Sequence, residues 1–355
     1  MISGISDVIA GVLLAAVTAY ACGGGTDYGA GFWDLVAGGS ERGERPRWLI
    51  DHAMEPVWET NNVWLIFVLV IMWTGFPVLF QTVFSAMWLP LALAAVGLVL
   101  RGAGFALRKQ TRLLAGRRVY GAVFAVSSLL TPFFLGAAVG GLATGRVAPG
   151  TTASADAWSN GTSVITGLLT VAATAFLGAV FLTADARRFD AADLAGYFRL
   201  RAWYSLGAIA VLAIIGLAVT RDDARYVHNG LTSGIGLILV LLAVVAAVAT
   251  AVLLYRMATG LARITAVAGV ALVVVAWGLA QRPYLIPTSL TVDQAAGAAT
   301  TLRWLVLVTL IAVVLVGPLL VLLYRLDTRG ALQPLTDADL RQPPADQASD
   351  SSPPS

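Results

Sequence analysis

Nine separated runs of apolar residues dominate the chain, each close to the roughly 20 residues that a membrane helix needs. At about 1.5 Å per residue, such a run crosses the roughly 30 Å hydrocarbon core of a bilayer. The runs lie at about 5–23, 62–84, 86–107, 119–143, 162–184, 203–220, 231–254, 263–281 and 303–325. So little chain joins the second and third that a tight hairpin is expected there. Composition agrees: only 12% of residues are charged and mean hydropathy is +0.81, whereas soluble domains average about 25% charged. The first run, inside "MISGISDVIAGVLLAAVTAYACGGG", has no basic residue before it and carries Asp7. It reads as a retained span, not as a cleaved signal peptide.

Charge sets the expected orientation. Lysines and arginines in alternate loops number 17 on one side and 5 on the other, and Arg101 lies within a run. Basic loops stay in the cytoplasm, so the N-terminus is expected outside and the C-terminus inside. The net charge of +3 is scattered between apolar runs, which gives no surface for nucleic acid. Residues 1–330 read as one polytopic membrane domain. Residues 331–355, "ALQPLTDADLRQPPADQASDSSPPS", are rich in Pro, Asp, Ser and Gln and read as a disordered cytoplasmic tail.

The same sequence restricts the chemistry. Cys22 is the only cysteine, which excludes a disulfide, a cysteine-based zinc site and an iron–sulfur cluster within this chain. His52 and His228 fall in loops on opposite sides, so they cannot face each other across one haem. No metal site and no catalytic residue is expected.

Ionisable residues in or beside a span are costly and mark functional sites. Three stand out. Asp27 and Asp34 follow the first run in "GGGTDYGAGFWDL", where glycines allow a tight non-helical backbone and Asp34 suits a short interfacial helix. An ordinary capping aspartate is the plain alternative. The stretch "EPVWETNNVWLIF" at 55–67 opens the second run, with Pro56 at a helix start and Glu59 and Asn62 on one helical face. Trp58 and Trp64 also suit an interfacial aromatic belt. Arg101 lies about 10 Å above the Arg108–Lys109 boundary. It either snorkels to that boundary or pairs with Asp27 or Glu59. Such a cluster carries protons or holds a polar head group such as a quinone ring. The external segment "QRPYLIPTSLTVDQAA" at 281–296 reads as a re-entrant or docking loop, with a plain external loop as its alternative.

These motifs resemble subunit II of the cytochrome bd quinol oxidases. "PVWETNNVWL" at 56–65 is similar to that family's second-span motif, and "GGTDYGAG" at 24–31 to the motif after its first span. Arg101–Gly102, "LLTPFFLGAAVG" at 129–140 and "YLIPTSLT" at 284–291 extend the resemblance over most of residues 5–325. It implies nine helices, as two four-helix bundles plus one more. It implies a heterodimer with subunit I, which carries haems b and d and the quinol-oxidising site, in a bacterial membrane. Small accessory subunits, lipid and quinone are the further expected partners. The complex would reduce dioxygen to water. Carried over by position, Glu59 and Asp27 are proton-path candidates, and Trp58, Glu59 and Arg101 are candidates for a structural quinone site. The chain departs from the family pattern at Gly24, which stands where the motif has its first acid, and at Glu59, Thr60 and Asn62. Two other classes stay open. A secondary transporter would carry midplane charges within repeats, and a structural scaffold would use Glu59 and Arg101 only as an ion pair.

Overall fold

The computed structural model describes residues 2–38, 43–54, 58–110, 114–152 and 154–328. The tail expected at 331–355 lies outside the described residues. The chain divides into two compact units, Met1–Val306 and Leu307–Ser355. In chain order the helices are α1 (Ile2–Leu35), α2 (Glu44–Met54), α3 (Trp58–Gly75), α4 (Pro77–Ala86), α5 (Trp88–Gln110), α6 (Leu114–Ala143), α7 (Gly161–Arg188), α8 (Ala192–Asp223), α9 (Arg225–Thr232), α10 (Gly234–Tyr255), α11 (Thr259–Ala280), α12 (Val292–Ala295) and α13 (Ala299–Thr328). A two-stranded antiparallel hairpin, β1 (Tyr284–Ile286) and β2 (Leu290–Thr291), precedes α12.

Eight helices are long and apolar enough to cross a membrane among the described residues: α1, α5, α6, α7, α8, α10, α11 and α13. The remaining run, the second in chain order, is not straight. It breaks at Phe76 into α3 and α4, bent by 117°. The cause is local. A residue before proline is pushed out of the helical region, and Phe76 sits at φ −133°, ψ 64°. Pro77 then opens the next helix, where its missing N–H costs nothing. The Gly75 carbonyl accepts from the Gly297 N–H at 2.8 Å. The expected tight hairpin between the second and third runs is therefore interrupted by α4, which turns into α5 at Met87.

A second difference concerns the glycines after the first run. They do not unwind the chain, because α1 continues as one helix to Leu35. Glycine costs about 1 kcal/mol in a solvated helix, but in lipid small residues let helices approach closely. A Cβ on Gly29 would lie 1.9 Å from the Thr174 carbonyl oxygen of α7, and one on Gly31 would lie 2.1 Å from Ser128 Oγ of α6. These glycines are packing surfaces, and α1, α5, α6 and α7 lie against one another through such contacts.

Two cores result. One holds Trp33, Phe105, Phe124, Phe176 and Phe198, at the arginine-rich end of the helices. The other holds Ile9, Ile71, Phe76, Met87, Ile286 and Leu302, at the opposite end. The 281–296 segment folds into the second core as the β-hairpin and α12, with Ile286 fully buried. It is tied to the start of α1 by Arg282 Nη2 to Asp7 at 2.8 Å and by Ser6 Oγ to Asp293 at 2.5 Å. The Tyr226 hydroxyl donates to the Arg282 carbonyl at 2.7 Å. Burial, with Tyr284 beside it, pushes the Tyr226 phenol up.

Candidate functional site

Helical continuity of α1 creates the site. Asp27 and Asp34 are seven residues apart, so they lie on nearly one face about 10 Å apart along the axis. Arg101 and Arg108 have the same spacing on α5. Two polar rungs follow, one near the helix ends and one two turns deeper.

The shallow rung is closed. Asp34, 3% exposed, receives Arg47 Nε at 2.8 Å and Arg108 Nη1 at 2.5 Å. Arg108 Nη2 also reaches Asp51 Oδ2 at 3.2 Å, and Arg47 Nη2 donates to the Gly38 carbonyl at 2.6 Å. Four charges from α1, α2 and α5 thus neutralise each other. Sequence reasoning placed Asp34 on a separate interfacial helix and missed this network. The matched seven-residue spacings on α1 and α5 were the available signal.

The deeper rung keeps one arginine donor unspent among the described residues. Arg101 is 3% exposed, and its Nε donates to Ser128 Oγ at 3.2 Å. Its guanidinium carbon lies 4.8 Å from the Tyr28 ring centroid and 5.3 Å from that of Phe124. Its Nη2 is buried with no hydrogen-bond partner among the described residues. Asp27, 4% exposed, precedes Tyr28 on α1. No ion pair joins Asp27 to Arg101 among the described residues; Arg101 turns instead to the hydroxyl of α6 and the two aromatic faces. The Tyr28 hydroxyl is shared with Tyr20 at 2.9 Å. Sequence reasoning missed this pair, although Tyr20, Gly24 and Tyr28 repeat every four residues. Trp58 and Glu59 head α3, which packs on α1, but their side chains lie outside the described residues.

The remaining titratable groups are elsewhere. His52, on α2, donates from Nδ1 to the Trp48 carbonyl at 2.8 Å and stacks beside Trp48 and Phe189. His228, on α9, lies 3.3 Å from Thr220 Oγ1. These two environments do not make a pair of axial ligands across one haem. Among the described residues no three His, Cys, Asp or Glu side chains converge on a metal-sized site. Arg263 of α11 pairs with Asp185 of α7 at 2.5 Å and donates to the Phe181 carbonyl at 3.0 Å. At the opposite end Asp223 pairs with Arg146 and accepts from the backbone N–H and hydroxyl of Thr162 at 3.0 and 2.6 Å.

The chain is similar to known proteins in sequence and in fold. The family described as cytochrome bd terminal oxidase subunit II matches residues 5–327. The cytochrome bd ubiquinol oxidase subunit 2 of Bacillus subtilis (strain 168) is 29% identical over 112 residues, which is 32% of this chain. The match also spans 32% of that relative's length, about a third of it. In fold, a chain of the bd oxidase structure from Geobacillus thermodenitrificans aligns with a TM-score of 0.76 at 24% identity, covering 91% of this chain and 98% of that one.

Proposed function

The chain belongs to the cytochrome bd terminal oxidase subunit II family and is a multi-pass bacterial membrane protein, and from that premise we propose that it is the non-haem subunit of a quinol:oxygen oxidoreductase. In this reading a partner subunit I carries haems b and d and the quinol-oxidising site. The complex reduces dioxygen to water with protons drawn from the cytoplasm. The observation that carries the proposal is the family match over residues 5–327, and beside it stands a buried arginine, Arg101, whose Nη2 has no hydrogen-bond partner among the described residues. A charged donor left unspent inside a bundle is costly and marks a functional site.

The α3–α4 pair counts as the ninth span, with α4 as its bent outer part. The helices group as two four-helix bundles plus one, with the N-terminus outside and the C-terminus in the cytoplasm. Residues 1–330 form the membrane domain. Asp27 and Glu59 are the proton-path residues of this reading, and both enter from the arginine-rich side. Asp27 accepts a proton at its carboxylate oxygen. The closed shallow rung holds α1, α2 and α5 in register beneath it.

Arg101, Trp58 and Glu59 are the proposed quinone contacts. Arg101 fits a carbonyl-bearing ring, because its Nη2 is an unspent charged donor beside the faces of Tyr28 and Phe124. A bound quinone supplies a carbonyl acceptor for one of the two N–H groups of that Nη2. The protein's part is to orient the ring. In this reading the redox steps belong to the haems of subunit I.

The test is co-purification with the products of neighbouring genes. The proposal expects a complex whose spectrum shows b- and d-type haem and which consumes oxygen with quinol. A chain that purifies folded, with no haem-bearing partner, contradicts it and returns the transporter and scaffold readings.

A further inference from the structure

Tyr20, Gly24 and Tyr28 lie at successive four-residue steps, on one face of α1. Gly24 is what allows the two phenols to meet. A Cβ there would lie 3.1 Å from Tyr20 Cε2 and 3.6 Å from Cζ, so the Tyr20 ring lies along the helix over the glycine. The two hydroxyls are then 2.9 Å apart, near the level of Gly24 and about one turn deeper than Asp27 and Tyr28. Tyr28 is buried and Tyr20 half-buried, so the pair runs from the interior to the lateral surface of the chain.

Hydrogen counting shows the pair is not self-sufficient. Two phenols carry two hydroxyl hydrogens, and their shared bond uses one. The second needs an acceptor, and so does the buried Nη2 of Arg101, whose guanidinium lies over the Tyr28 ring. Leaving such donors bare in lipid is costly. The smallest group that accepts from both and donates onward is water.

We propose that Tyr20 and Tyr28, with a water held by Arg101, form a hydroxyl relay that carries protons from the level of Asp27 one turn deeper, to the lateral surface of α1. It rests on the reading that protons enter this chain at Asp27. In one step an O–H bond of the inner hydroxyl breaks as its hydrogen passes to the next oxygen. That oxygen, on Tyr20, passes its own hydrogen to a water at the partly exposed edge of its side chain, which carries it off as hydronium, and a proton from the Asp27 side restores the first O–H bond. Both phenols end neutral, and no electron moves between groups. Among the described residues Asp27 and Arg101 are the charged groups acting on the pair. Gly24, the position where the family motif has an acid, becomes the seat of Tyr20.

The experiment compares Tyr20→Phe, Tyr28→Phe and Asp27→Asn in the complex purified with its haem-bearing partner. Oxygen consumption per haem is measured in H2O and D2O, so loss of assembly does not enter. Each Phe variant keeps its ring, and Tyr28→Phe keeps the contact with Arg101. The relay predicts at least about a fivefold loss of turnover in each, the factor set by about 1 kcal/mol of barrier. It also predicts a larger H2O/D2O ratio, which a purely structural tyrosine would not change. Wild-type turnover and ratio in both Phe variants, with Asp27→Asn slow, overturn the relay and leave the proton path standing. Wild-type behaviour in all three overturns both.

Discussion

The two rungs use the same residue types at the same spacing on the same two helices, and they end differently. Asp34 and Arg108 are locked into a four-charge network. Asp27 and Arg101 are as deeply buried but do not pair with each other, and Arg101 keeps a spare donor. A buried ion pair is weak evidence for stability gained over apolar packing, but removing one partner is strongly destabilising. The shallow rung therefore behaves as a fastening. The deeper rung is where a ligand or a proton can be accommodated without breaking the fold.

The largest effect that could break this contrast is at Asp34. Asp34→Ala removes the buried carboxylate that Arg47 and Arg108 share, leaving Arg108 its contact with Asp51, and should cost about 3 kcal/mol. The check is the unfolding midpoint or the yield of folded protein in detergent. A variant as stable as wild type would remove the distinction between fastening and site.

Next comes Gly29. Its Cβ would meet backbone, the Thr174 carbonyl oxygen at 1.9 Å, and no side chain there can turn away. Gly29→Ala should separate α1 from α7 and cost about 1–3 kcal/mol. A crosslink between cysteines placed on those helices, lost in the variant, would report the separation. Because α1 carries both rungs, this change should weaken both, which Asp34→Ala should not.

The smallest effect belongs to Arg45, whose pair with Asp193 at 2.5 Å leaves the side chains 67% and 55% exposed. Arg45→Ala should cost less than about 1 kcal/mol, and less still at high salt. A loss comparable to that of Asp34→Ala would mean that burial does not separate these pairs.

How far the sequence carried these conclusions differs by element. The membrane class and eight of the nine runs as single helices were legible, because length and apolar continuity alone decide them. The break at Phe76 was hidden inside an uninterrupted apolar run, where only the Gly75–Phe76–Pro77 order marked it. The glycines of 23–31 misled in the other direction. Their loop-forming tendency is a local property, whereas what fixed them here is the approach of α7 and α6, a tertiary one. Reading the glycines as a non-helical break, with Asp34 on a separate interfacial helix, also hid the Asp27–Asp34 spacing, and with it the match to Arg101 and Arg108. Arg101 itself was legible because a charge inside an apolar run is conspicuous, but its partners Ser128, Tyr28 and Phe124 come from two other helices and leave no pattern along the chain.

The central claim is that the deeper rung conducts protons and the shallow one only fastens. The direct measurement is quinol-driven oxygen consumption per haem in complexes carrying Asp27→Asn or Asp34→Asn. The account predicts that Asp27→Asn assembles well and loses at least about tenfold in turnover, a barrier change of about 1.4 kcal/mol. It predicts that Asp34→Asn assembles poorly and keeps its turnover per haem. Full turnover in Asp27→Asn, or a selective loss of turnover in a well-assembled Asp34→Asn, would contradict it.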